Sequence, residues 1–89
     1  MITITEELRN QIKNVKLTKK EKLIAEFVLD NFPEVCFITS TDIAKRLNIS
    51  DSSVIRFTRT LGYSGFMDFQ RNIRKIYTDR INSVSEAIT

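Results

Sequence analysis

The fold is decided by residues Ser40 to Arg59, which run Ser-Thr-Asp-Ile-Ala-Lys-Arg-Leu-Asn-Ile-Ser-Asp-Ser-Ser-Val-Ile-Arg-Phe-Thr-Arg. Apolar residues recur in this stretch at helical spacing, first over residues 41–47 and again over residues 51–61. Between the two runs, Asn48-Ile49-Ser50 leaves room only for a tight turn, and serine is a residue type that begins helices. The stretch therefore predicts two short amphipathic helices joined by a tight turn.

The spacing of the apolar residues predicts how these two helices meet. Counted from Ser40, positions four, eight, ten, fifteen and eighteen are Ile43, Leu47, Ile49, Val54 and Phe57. The fifth position is Ala44, which is small enough for a close crossing. The ninth position needs a left-handed backbone, and Asn48 is among the non-glycine residues that accept it best. This pattern predicts a helix-turn-helix, the motif that places its second helix in the major groove of DNA.

The polar face of the second helix predicts which residues contact bases. At about 100° per residue, five side chains fall away from the apolar side of the helix. They are Ser52, Ser53, Arg56, Arg59 and Thr60. Arginine can bind guanine bidentately, and small hydroxyl residues allow the helix to approach the base edges closely. We therefore predict that these five residues read the DNA sequence.

Other residues are predicted to bind the DNA backbone. Helix N-termini attract phosphate through free N–H groups and a partial positive charge. We expect Ser40 or Thr39, Ser50 and Ser64 to cap three helices, with Gly62 ending the second helix of the motif. The predicted phosphate contacts are Thr39, Ser40, Thr41, Lys45, Ser50, Tyr63 and Ser64. Such contacts position a protein on DNA without reading its sequence.

The rest of the chain predicts an all-α domain. Apolar residues at helical spacing predict helices near residues 6–14, 19–31 and 65–77. Thr18, followed three residues later by Glu21, forms a capping box at the start of the second of these. No segment predicts a strand, so we expect no β-wing after the motif. The expected fold is a five- to six-helix bundle containing a homeodomain-like three-helix core.

Two apolar segments outside the motif are expected to form the core. The helix over residues 19–31 carries an apolar stripe made of Leu23, Ile24, Phe27 and Val28. Pro33 ends that helix and opens a short helical turn. In this turn we expect Val35, Phe37 and Ile38 to be core residues, and Cys36 to be a buried, unreactive thiol.

The composition excludes most kinds of active site. The 89 residues contain no histidine, one cysteine and two glycines. A Cys/His zinc site, a histidine-based catalytic set and a glycine-rich phosphate loop therefore cannot be built. We expect no enzyme activity, no metal and no cofactor.

The charge of the chain is concentrated in one half. Residues 39–77 contain seven cationic and three acidic side chains, a surplus of four positive charges that suits a polyanionic partner.

The compartment follows from what the chain contains and lacks. No apolar run approaches the roughly 18 residues that a membrane span needs. The N-terminus has neither the basic start nor the apolar segment of a secretory signal. A single cysteine cannot form an internal disulfide, which fits a reducing environment. We therefore expect a cytoplasmic protein that does not bind a membrane.

Three blocks of the sequence resemble the N-terminal domain of RpiR-type transcriptional regulators. They are residues 17–35, which begin Leu-Thr-Lys-Lys-Glu-Lys-Leu-Ile; residues 43–57; and residues 59–69, which contain Leu-Gly-Tyr-Ser-Gly-Phe. In that family, a Leu-Gly-Phe/Tyr-x-Gly-Phe phrase follows the recognition helix. The resemblance covers roughly residues 15–77. It implies that Ser40–Arg59 is the family's helix-turn-helix.

The resemblance also implies a larger protein of defined organisation. Such regulators join this domain to a C-terminal sugar-isomerase-like domain that senses phosphosugars, and they act as homodimers or larger oligomers on palindromic sites that control carbohydrate genes. We expect a DNA-binding domain over residues 1–77 and a linker or frayed helical tail over residues 78–89. This chain is then either an excised domain or a naturally short member. In both cases the phosphosugar effector would bind a domain that the chain does not contain.

The alternative hypothesis is a helical module for protein–protein interaction or dimerisation. It predicts an apolar surface patch formed by Leu8, Ile12 and the apolar residues of the tail, which are Ile81, Val84 and Ile88. The sequence does not define the operator, the regulated genes, the effector, the direction of regulation or the oligomeric state.

Overall fold

The computed structural model describes the backbone of residues 4–88 and the side chains of residues 8–79. The helices within this range are α1 (Ile4–Lys13), α2 (Lys19–Asp30), α3 (Phe32–Val35), α4 (Ser40–Leu47), α5 (Asp51–Thr60) and α6 (Phe66–Ile88). No strand occurs in the described backbone, and α6 follows α5 after a short turn. The expected all-α class with a helix-turn-helix is therefore confirmed.

Local capping defines where α2 begins. The Thr18 hydroxyl accepts a hydrogen bond from the Glu21 N–H at 3.2 Å, and the Thr18 N–H donates to the Glu21 carboxylate at 3.0 Å. This is the predicted capping box, which satisfies two of the N–H groups that a helix start leaves open. At the other end, Pro33 lies in the first turn of α3, where its missing N–H costs nothing.

The three-helix core consists of α2, α4 and α5, which pack against one another, while α1 and α6 cover its flanks. The largest fully buried side chains of the domain include Ile24, Ile43 and Phe57 of the three-helix core and Phe69 and Ile73 of α6. The rings of Phe57 and Phe69 meet edge to face with centroids 5.8 Å apart, which fixes α6 against the motif. Burying an apolar side chain of this size contributes about 1.5–3 kcal/mol, so this cluster dominates the stability of the domain.

Two residues of the predicted apolar segments lie on the surface. Phe37 is 73% exposed and Leu23 is 41% exposed, whereas Val35 and Cys36 are fully buried. Successive residues of a helical turn are about 100° apart, so a turn that buries Val35 and Cys36 directs Phe37 outward. Leu23 lies at the edge of a stripe whose centre is the buried Ile24. The core prediction for Phe37 was therefore wrong, and Leu23 is the exposed edge of the predicted apolar stripe.

The ends of α6 also differ from the prediction. Gly65, not Ser64, precedes its first residue, and the Phe69 N–H donates to the Gly65 carbonyl at 3.1 Å. Ser64 instead donates its backbone N–H to the Asp68 carboxylate at 3.1 Å. The backbone remains helical through Ile88, past the end predicted for this helix near residue 77. The boundary between the DNA-binding domain and the tail stays a prediction. The side chains of Ile81, Val84 and Ile88, which the alternative hypothesis places in an apolar surface patch, lie outside the described residues.

The N-terminal helix does not offer the surface that the alternative hypothesis needs. Leu8 is 1% exposed, and Ile12 packs, partly buried, against the same core. Because these side chains are used to attach α1 to the domain, they do not form an exposed patch for a partner.

Candidate nucleic-acid interface

The turn between α4 and α5 has the backbone that the sequence predicts. Asn48 ends α4 with φ 55° and ψ 46°, a left-handed conformation. The next N–H, that of Ile49, donates to the Ala44 carbonyl at 3.0 Å. Asparagine supplies this geometry where glycine is usual. The turn thus sets the angle at which α5 leaves α4.

Ser50 fixes the first turn of α5. Its hydroxyl oxygen accepts the Ser53 N–H at 3.2 Å and lies 2.9 Å from the Ser53 hydroxyl oxygen. Ser50 is therefore the N-cap, as predicted. The bond holds the Ser53 side chain, which is half-buried, while Ser52 beside it remains exposed.

The outer face of α5 presents both cations of the helix to solvent. Ser52, Arg56 and Arg59 are exposed and, with Ile55, line a shallow groove of about 480 Å³. Sequence reasoning missed Ile55, although it lies one turn from both Ser52 and Arg59. An apolar side chain between hydrogen-bonding ones is suited to the methyl group of thymine. The groove therefore combines charged, polar and apolar contacts on one helix face.

Thr60, the fifth predicted base-contacting residue, has a partner inside the protein. Its hydroxyl donates to the carboxylate of Glu21 on α2 and lies 3.0 Å from the Arg56 carbonyl oxygen. A hydroxyl has a single proton. A donated bond from Thr60 to a base would therefore require this proton to leave Glu21.

Glu21 is a buried acid that the sequence did not single out for this role. Its side chain is only 5% exposed. Burial acts to raise the pKa of the Glu21 carboxyl, but hydrogen bonds from Thr60 and Thr18, together with the charge of Arg56, lower it below its ordinary value. The carboxylate therefore connects the start of α2 to the end of α5 while remaining ionised.

The predicted phosphate-contacting residues fall into two groups. The exposed group is Thr39, Thr41, Lys45, Ser50 and Ser64, and Ser40 is half-buried. Thr39 is the N-cap of α4, since its hydroxyl accepts the Asp42 N–H at 3.0 Å and leaves its own proton available. Ser40, offered as the alternative cap, is instead the first residue of the helix.

Tyr63 has internal partners. Its hydroxyl donates to the side-chain oxygen of Gln11 at 2.9 Å and accepts the Asn72 amide at 2.6 Å. These bonds connect α1 to α6. A donated bond from Tyr63 to phosphate would require the loss of the Gln11 contact.

Two of the arginines in residues 39–77, the part of the chain with the cationic surplus, have partners within the protein. Arg46 forms a salt bridge with Glu34 and lies over the Phe27 ring, 5.9 Å from its centroid. The Arg74 guanidinium donates to the Cys36 carbonyl at 2.6 Å and to the Gln70 side chain at 3.2 Å. The burial of Cys36 raises the pKa of its thiol, as expected for an unreactive cysteine. Arg56 and Arg59 are thus the arginines that the motif directs outward.

The described part of the chain contains neither a bilayer-spanning helix nor a metal-binding cluster. None of its helices combines the length and the apolar character that crossing a bilayer requires. Nor do three or more histidine, cysteine, aspartate or glutamate side chains come together there in a way that could hold a metal ion.

Comparison with known proteins identifies the class. Residues 2–79 match the family described as the helix-turn-helix domain of the rpiR family. An uncharacterized HTH-type transcriptional regulator of Clostridium perfringens is 30% identical over 80 residues, which are 90% of this chain and 28% of that protein. Another, of Providencia stuartii, is 36% identical over 70 residues, which are 79% of this chain and 24% of that protein.

A solved structure has the same fold. The Vibrio vulnificus NanR protein, determined in complex with ManNAc-6P, superposes with a TM-score of 0.76 at 29% identity. The match covers 96% of this chain and 32% of that one. The chain thus spans about a quarter to a third of the length of these three relatives.

The fold, the αL turn and the polar face of α5 define a DNA-binding helix-turn-helix domain of the class found in transcriptional regulators. Within that class, the chain belongs to the rpiR family. The resemblance predicted from three sequence blocks is confirmed, and this family is one of DNA-binding domains rather than enzymes.

Proposed function

We propose that this domain reads duplex DNA through the exposed face of α5, with Ser52, Arg56 and Arg59 contacting base edges. The observation that carries the proposal is the exposure of these side chains on the second helix of a motif whose turn and cap are fully formed. Ser53 and Thr60 contribute from the half-buried edge of the same face. Arginine–guanine pairs would supply most of the discrimination, at about 1–3 kcal/mol per bidentate contact.

The backbone contacts are assigned to the residues around the helix N-termini and to Lys45. Thr39, Ser40 and Thr41 lie at the start of α4, Ser50 lies at the start of α5, and Tyr63 and Ser64 precede α6. Free N–H groups at such positions bind phosphate favourably. Asp42 and Asp51 lie in the first turns of α4 and α5. Their negative charge opposes phosphate there, so we assign more of the backbone affinity to Lys45.

We further propose that the domain serves a cytoplasmic regulator of sugar or phosphosugar genes that acts as a homodimer. The structural relative NanR was solved with ManNAc-6P, which is a phosphorylated sugar. We propose that an effector of this kind binds the sugar-isomerase-like domain that the family resemblance implies; the match to NanR covers 32% of that chain.

The test is selection of bound sequences from a random duplex pool, combined with a salt titration. We expect an enriched motif and an affinity that falls steeply with salt. Arg56→Ala should abolish the preference for the enriched motif over random DNA. Lys45→Ala should weaken binding to all duplexes alike and reduce the salt slope by about one. An equal loss on both DNAs for Arg56→Ala would instead make Arg56 a phosphate contact.

A further inference from the structure

A second surface of the domain combines exposed apolar side chains with cations. Among the described side chains, the large hydrophobic residues that are most exposed are Phe37 at 73%, Met67 at 69% and Leu23 at 41%. A single exposed hydrophobic residue is ordinary and needs no explanation. Phe37 and Met67, however, line the same groove, and Leu23 does not.

This groove has a volume of about 490 Å³ and is bounded by three elements. Phe37 and Thr39 come from the turn between α3 and α4, Ile55 and Arg59 from α5, and Met67 from the first turn of α6. Hydrogen bonds from Gln70 fix the position of the turn between α3 and α4, which forms one side of the groove. The Gln70 amide donates to the carbonyls of Val35 and Ile38 at 3.0 and 2.6 Å, respectively. The apolar rim is therefore held in place by the fold.

The charge of the groove is of one sign. Its lining includes Arg59 and Arg74 and, among the described side chains, no acid. The Arg59 guanidinium has no hydrogen-bond or ion-pair partner among the described side chains, whereas that of Arg74 already donates to the Cys36 carbonyl. The groove therefore has one cation that is available to an anionic ligand.

The groove is also continuous with the face that we propose reads bases. Ile55 and Arg59 line both surfaces, so a ligand on one meets the other. Recognition by α5 places the sugar–phosphate strands of DNA at the edges of this face. A DNA strand alternates anionic phosphates with the apolar faces of deoxyribose rings. The groove places a cation beside apolar side chains, which matches the phosphate and deoxyribose of such a strand.

We propose that this groove holds one sugar–phosphate strand of the bound duplex, with deoxyribose packed against Phe37 and Met67 and a phosphate bound by the Thr39 hydroxyl. Arg59, which lines both surfaces and contacts the base edge, attracts that phosphate through its charge. The proposal rests on DNA being the ligand of α5. It assigns to two apolar residues a share of the affinity that depends on neither base sequence nor salt.

The experiment measures the DNA affinity of Phe37→Ala, Met67→Ala and the matched control Leu23→Ala across a salt titration, on the selected site and on random duplex. We expect each groove variant to bind about fivefold to tenfold more weakly on both DNAs, which corresponds to the loss of one apolar contact. The slope of affinity against salt should not change, because no phosphate charge is lost. Phe37→Leu should retain most of the affinity, and Leu23→Ala should bind like the wild type.

Wild-type affinity in both groove variants would overturn the proposal. So would unchanged DNA binding accompanied by a shift in sedimentation, since the patch would then be a contact between copies of the chain. Because both side chains are exposed, thermal unfolding should confirm that the variants fold normally. Failure of the proposed function has a different result: the wild-type domain would not bind DNA even at low salt, and Arg56→Ala would then have no preference to remove.

Discussion

Glu21 both stabilises the domain and fixes the position of α5. It accepts hydrogen bonds from Thr18, at the start of its own helix, and from Thr60, at the end of α5. Its ionised form also attracts Arg56. A carboxylate accepts several bonds at once, whereas an uncharged amide oxygen accepts fewer and more weakly. Glu21 therefore holds the last turn of α5 against α2.

We expect Glu21→Gln to lower the free energy of unfolding by about 2 kcal/mol near neutral pH, because the bonds to a charged acceptor are lost. The folded pKa of Glu21 is lowered, so its contribution is present above the unfolded pKa and disappears as the pH falls through the folded pKa. Urea unfolding of both proteins should therefore show a gap that narrows as the pH falls below the ordinary glutamate pKa and closes below the lowered, folded pKa of Glu21. A gap that is independent of pH would mean that the ionised form is not what stabilises the domain.

Asn48 offers a second test, because its left-handed backbone strains any residue with a Cβ. Asn48→Ala should lower the free energy of unfolding by about 1 kcal/mol, whereas Asn48→Gly should be nearly neutral. Urea unfolding of the two variants beside the wild type measures the difference. Equal stability of the alanine and glycine variants would show that the turn is not left-handed in solution.

At the scale of the elements, the sequence predicts what local chemistry controls. The capping box at Thr18, the αL turn at Asn48 and the end of α5 at Gly62, whose φ is 100°, each depend on a few neighbouring residues. The interpretation of residues 51–61 as an exposed recognition helix follows from periodicity in the same way. These features account for most of the helix boundaries and for the exposed arginines.

Features that depend on distant residues were not predictable in this way. Thr60 lies 39 residues from Glu21, and Gln70 lies 35 from Val35, so neither bond leaves a periodic signal. The exposure of Phe37 likewise depends on how Gln70 and Arg74 hold the turn after α3. Sequence reasoning assigned Phe37 to the core because its neighbours are apolar.

The α3–α4 turn provides the test at this scale. Gln70→Leu, similar in volume, removes the amide that donates to the Val35 and Ile38 carbonyls. We expect a loss of about 2 kcal/mol, because buried acceptors are left without a partner. Amide hydrogen exchange in the turn should accelerate more than in α5. Arg71→Leu, an exposed neighbour on α6, is the matched control. Uniform acceleration in all helices would argue against a local role for Gln70.

At the scale of the whole molecule, affinity depends on how many domains engage one duplex. Two linked domains bind a palindrome with a high effective concentration for the second contact. Fusing a dimeric coiled coil to the end of α6 should raise affinity for a duplex with two half-sites by about 100-fold over one half-site. The same fusion with a monomeric coil should show no such gain. Equal affinity for one and two half-sites in the dimer would contradict a palindromic mode of binding.

The length of α6 has a mechanical consequence. Its 23 residues form a rod of about 34 Å, which starts at the groove beside α5 and is clamped to the α3–α4 turn by Gln70 and Arg74. About 21 Å of this helix lies beyond Arg74, so a tilt of about 10° at the clamp moves the far end by roughly 4 Å, about one base-pair step along a duplex. A small change of angle at the clamped end of α6 is therefore amplified along the length of the helix. In the proposed homodimer, such a displacement would change the spacing between the two DNA-binding domains by about one base-pair step, and with it their register on the helical repeat of DNA.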